Sequence, residues 1–125
     1  MSTAVRALLL VQIAVFWSAS LIHQGSLLDG FQDSAAAIAE GVIGAVLAAG
    51  LLLGWAIPAI ARRMALLAQL FALAGTSVGV FVLIRGVGPN TPLDIALHAT
   101  MVVLLVAGLW LARTDGRDRR TADAA

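Results

Sequence analysis

Apolar residues run almost unbroken through four stretches of this chain, and the polar positions that interrupt them recur at helical rather than strand spacing. The stretches cover about residues 4–23, 34–57, 64–85 and 92–112. Each has the ~20 residues an α-helix needs to cross a bilayer at 1.5 Å per residue. The connections at Gln24–Asp33, around Pro58 and at Gly86–Thr91 are short, which makes sequential helices antiparallel neighbours. The pattern predicts an all-α, transmembrane up-down-up-down four-helix bundle as one domain over residues 1–112. The Asp- and Arg-rich segment 113–125 cannot bury apolar surface and is expected to be a disordered cytoplasmic tail.

Helix punctuation supports these boundaries. In Thr91-Pro92-Leu93-Asp94, Thr91 can cap, Pro92 fits the first helical position, and Asp94 can reach back as the acid of a capping box. Asp33-Ser34 offers a similar start to the second helix. Polar residues also line up along single helix faces: Gln12, Phe16, Ser20 and His23 on the first span, Gln69, Thr76 and Val80 on the third, and Asp94, His98 and Met101 on the fourth. Counted from the helix ends, Glu40 and His98 each lie roughly 10 Å deep, with His23 and Asp94 nearer the surface. All four fall in the same half of the bundle.

The two halves resemble each other at an offset of about 57 residues. Leu9-Leu10-Val11-Gln12 answers Leu66-Leu67-Ala68-Gln69, Ala49-Gly50-Leu51-Leu52-Leu53 answers Ala107-Gly108-Leu109-Trp110-Leu111, and Glu40 answers His98. Two duplicated hairpins would be parallel repeats about an axis along the membrane normal.

Composition agrees with a membrane class, because 61% hydrophobic and 12% charged residues leave too little polar surface for a water-soluble fold. Every basic residue is Arg. Arg6, Arg62, Arg63, Arg113, Arg117, Arg119 and Arg120 fall on one side of the predicted bundle, against Arg85 alone on the other. The positive-inside rule then puts both termini in the cytoplasm of a multi-pass protein of the cell inner membrane. Arg6 and Ser18-Ala19-Ser20 imitate a signal peptide, but the length of the run and the even number of spans favour a retained first helix. With zero Cys the chain has no thiolate ligand and no cysteine nucleophile. The charge pattern suggests no nucleic-acid partner; the expected partners are the lipid bilayer and a membrane-protein partner or a second copy of the chain.

Candidate chemistry gathers on the outer side. Glu40, His98, His23, Asp94 and Arg85 form a predicted ligand pocket. A carboxylate at Glu40 exposed to lipid would cost ~2–3 kcal/mol, so it must face inward and be paired or protonated. The simplest structural explanation is an ion pair with Arg85; for His98 it is a hydrogen bond to Glu40, Thr100 or a backbone carbonyl, for His23 an interfacial position, and for Asp94 a helix cap. As ligands, His23, Glu40, Asp94 and His98 would suit a divalent metal such as Zn, Fe or Mn. His23 and His98 would serve if the cofactor were haem b, as in haem b helical bundles, although Glu40 stands where the repeat would place a second His. A proton- or quinone-handling site is a further reading, and a structural subunit of a larger complex an alternative to all of them. Gly50-x-x-x-Gly54 and Gly75-x-x-x-Gly79 suggest close helix packing within the bundle, Trp17, Trp55 and Trp110 interfacial belts, and Gln12 with Gln69 a mutual hydrogen bond or a polar pathway.

With Gln12 and Gln69 in the odd spans, Glu40 near the start of the second, and Gly88-Pro89-Asn90-Thr91-Pro92-Leu93-Asp94 through His98 opening the fourth, the membrane part resembles small four-span bacterial integral membrane proteins grouped as a domain of unknown function. The resemblance implies the four-helix fold and brings no activity with it.

Overall fold

The computed structural model describes residues 1–87 and 90–122, with side chains through Asp115. Four helices run antiparallel in sequence: α1 (Thr3–His23), α2 (Ser34–Ala56), α3 (Ala61–Ile84) and α4 (Pro92–Ala122), with a 3-10 turn, Pro58–Ile60, between α2 and α3. Each packs on its sequence neighbour and α4 closes the ring against α1, which makes an all-α up-down four-helix bundle. All four are long and apolar enough to cross a membrane. Their outward faces carry Leu10, Ile38, Leu52, Leu67, Val78, Phe81, Val103 and Trp110, an apolar coat that water would not tolerate and lipid does. This is a small multi-pass membrane protein.

The helix ends follow local chemistry. The Asp33 carboxylate accepts from the Ala35 and Ala36 amides and starts α2. At α4, Asp94 Oδ2 accepts from the Thr91 amide and hydroxyl while Thr91 Oγ1 accepts from the Asp94 amide, the reciprocal capping box expected there. α1 and α3 end alike. Gly25 and Gly86 take left-handed backbone conformations, and the amides of Gly25 and Ser26, and of Gly86 and Val87, return to carbonyls of the last turn.

One boundary differs from expectation. The tail beyond Ala112 continues α4 as helix to Ala122, because a polar composition prevents burial but not local backbone hydrogen bonds. It is also held at its base: Arg62 donates to the Ala112 and Arg113 carbonyls, and the Ser2 amide donates to Asp115. Residues 123–125, and Gly88-Pro89 of the loop before α4, lie outside the described residues.

The core is layered. Fully buried Leu9, Leu47 and Leu105 surround the bundle centre, and Phe16 and Met101 close it off from the end where α1 and α3 finish. In the other half, Gln12 Nε2 donates across the bundle to Gln69 Oε1 and to the Leu104 carbonyl. This is the mutual bond the sequence allowed, made between the two residues that the internal offset relates. Gly108 makes it possible: a Cβ there would collide with both amide groups. Gly50 similarly lets α2 meet Ala68 and Met64 of α3, so this glycine serves packing within the bundle.

Candidate functional site

Four of the five residues expected to form a pocket converge where α1 and α3 end and α2 and α4 begin. His23 is the last residue of α1, and its carbonyl accepts from the Asp33 amide, which pins it beside the start of α2. Its ring lies between two carboxylates. Nδ1 is 2.7 Å from Glu40 Oε2 on α2, and Nε2 is 3.0 Å from Asp94 Oδ1 on α4. All three residues are buried. His23 is therefore the bridge of the site, not the interfacial residue its position at a helix end suggests.

The proton count of this triad follows from its geometry. Each contact between nitrogen and oxygen requires one bridging hydrogen. Asp94 Oδ2 already accepts from Thr91 amide and hydroxyl, which keeps Asp94 a carboxylate. The bond to Glu40 is then either imidazolium with carboxylate or neutral imidazole with carboxylic acid. With no hydrogen on Glu40 Oε1, both forms sum to one negative charge.

His98 stands one turn further along α4. Its Nδ1 lies 2.9 Å from the Asp94 carbonyl, which can only accept, so Nδ1 carries the hydrogen. The opposite edge of the ring rests over Gly79 of α3, where a Cβ would come within 2.6 Å of Nε2. Gly79 thus makes room for the imidazole.

Beside the triad lies a cavity of about 300 Å³, at the small end of the range for small-molecule sites. Glu40, His98, Asp94 and His23 line its polar side. Ala36, Ala39, Gly75 and Gly79 leave the space, Phe16, Ile43 and Met101 are among its apolar lining, and Asp33 also lines it. Glu40 is 5% exposed, and its second oxygen, Oε1, is buried with no hydrogen-bond partner among the described residues. Such an orphan is costly unless something supplies the missing partner.

Two expectations are corrected. Arg85 does not pair with Glu40 and does not line the cavity; it is exposed, with its guanidinium 5.0 Å from the ring centroid of Phe81 on its own helix. His23 cannot act as a metal or haem ligand in this arrangement, because both ring nitrogens are engaged by carboxylates. Among the described residues no group of three His, Asp or Glu is disposed to hold a metal ion. The four-ligand set and the pairing of His23 with His98 on a haem iron both lose their central member. Sequence reasoning passed over Asp33, Ala36, Ala39 and Thr76 as cavity residues and read Gly75 and Gly79 only as packing surfaces; the one available signal was the run of small residues at helical spacing facing the polar stripe.

No family model, curated protein or solved structure matches this chain.

Proposed function

We propose that the protein is a small integral membrane binding protein of the cell inner membrane, with both termini cytoplasmic and the cavity facing outward. The observation that supports this is the cavity itself: apolar walls, a polar side of Glu40 and His98, and a buried carboxylate oxygen without a partner. Gln12 Oε1 is also buried without a partner among the described residues, but Gln12 does not line the cavity; Glu40 does, and a binding site uses such a group to orient its ligand. The seven Arg at the end remote from the cavity support the orientation. Transport receives less support, because buried Phe16, Leu47, Met101 and Leu105 separate the cavity from the opposite end.

Benzyl alcohol is a neutral probe of suitable size. Saturable binding by the protein in lipid nanodiscs, lost in Ala39→Phe with little change in melting temperature, is the expected result. Binding that Ala39→Phe leaves unchanged would place the probe elsewhere and refute the cavity as the site.

A further inference from the structure

We infer that the cavity takes a cationic amine on a small apolar body, with the ammonium group donating to Glu40 Oε1; this deepens the ligand-pocket reading above and rests on it. The inventory of polar atoms carries the inference. Both His23 ring nitrogens are committed within the triad, and the His98 Nδ1 hydrogen goes to the Asp94 carbonyl. The Thr76 hydroxyl hydrogen goes to the Ala72 carbonyl. What is left toward the cavity among the described side chains, apart from the exposed Asn90 amide and the His98 ring, is carboxylate: Glu40, whose buried Oε1 has no partner, and Asp33, whose Oδ1 also caps α2. Charge points the same way, since with no hydrogen on Glu40 Oε1 the triad carries one negative charge, and Arg85 faces elsewhere. A site whose uncommitted polar atoms are carboxylate oxygens selects a donor-rich cation, and apolar walls select an apolar body.

Benzylammonium, benzyl alcohol and benzoate share a shape and differ in charge, so their binding to the full chain in uncharged phosphatidylcholine nanodiscs, against empty nanodiscs, tests the inference. Ligand-observed NMR is expected to rank benzylammonium about tenfold tighter than the alcohol, or one decade in affinity, with benzoate weakest. Glu40→Gln should bring the ammonium down to the level of the alcohol. Should that variant fail to fold, the wild-type ranking still decides. Equal binding of alcohol and ammonium, or a preference for benzoate, overturns the charge assignment and leaves the pocket standing. An ammonium preference untouched by Glu40→Gln overturns the role given to Glu40, and saturable binding by none of the three overturns pocket and inference together.

Discussion

At the scale of single residues, His23 matters more than either carboxylate it joins. Removing it leaves Glu40 and Asp94 buried without their shared partner, and loss of one member of a buried charged network costs ~3–5 kcal/mol. Glu40→Gln keeps a group able to bond the imidazole and should cost less, under about 2 kcal/mol. Arg85→Ala, at an exposed position, should stay within ~0.5 kcal/mol. Unfolding of the three variants in detergent checks the order His23→Ala, Glu40→Gln, Arg85→Ala; an Arg85→Ala loss as large as that of His23→Ala would contradict the contacts described. Glu40, Asp94 and His98 were legible as inward-facing groups because helical spacing and depth depend only on sequence. That Glu40 meets His23 and not Arg85 was not legible, because it depends on how α1 and α3 are turned about their own axes.

Helices tell a similar story one level up. The start of α4 was readable because Thr91 and Asp94 lie three residues apart and make their bonds locally. Thr91→Ala should cost ~0.5–2 kcal/mol as a lost cap. It also removes one of the two donors to Asp94 Oδ2, leaving only the backbone amide, so the effect should fall near the upper end, and should be smaller in a background where His23 is already replaced. Gly108→Ala should be worse than a helix-propensity scale suggests, since alanine is the better helix former but its methyl collides with the Gln12–Gln69 pair. A loss of ~1–3 kcal/mol is expected, from parting two buried amides; neutral or stabilising behaviour would mean that the pair relaxes freely. Nothing in the sequence around Gly108 announced this role, because its partners come from α1 and α3.

For the molecule as a whole, span number and antiparallel order were legible from the lengths of the apolar stretches alone. The cavity was not, because an internal space is defined by what small residues on α2 and α3 leave empty. Reporter fusions at Ala125 and in the Gln24–Asp33 loop test the orientation, with a cytoplasmic C-terminus and an external loop expected from the Arg distribution. The claim that an open cavity reaches into the outer half of the membrane has a sharper test, made clean by the absence of cysteine from the chain. Thr76 and Ser77 are adjacent on α3, roughly 12 Å from its end at 1.5 Å per residue. Thr76 lines the cavity, while Ser77 is exposed on the outer surface of the bundle and does not line it. A thiol needs water to ionise and react. In intact cells, a membrane-impermeant cationic methanethiosulfonate added outside should modify Thr76→Cys, with slowing by benzylammonium, and leave Ser77→Cys untouched. Equal protection of both thiols would mean that no cavity opens to the outside, and the account of the protein as an outward-facing binding site would be wrong.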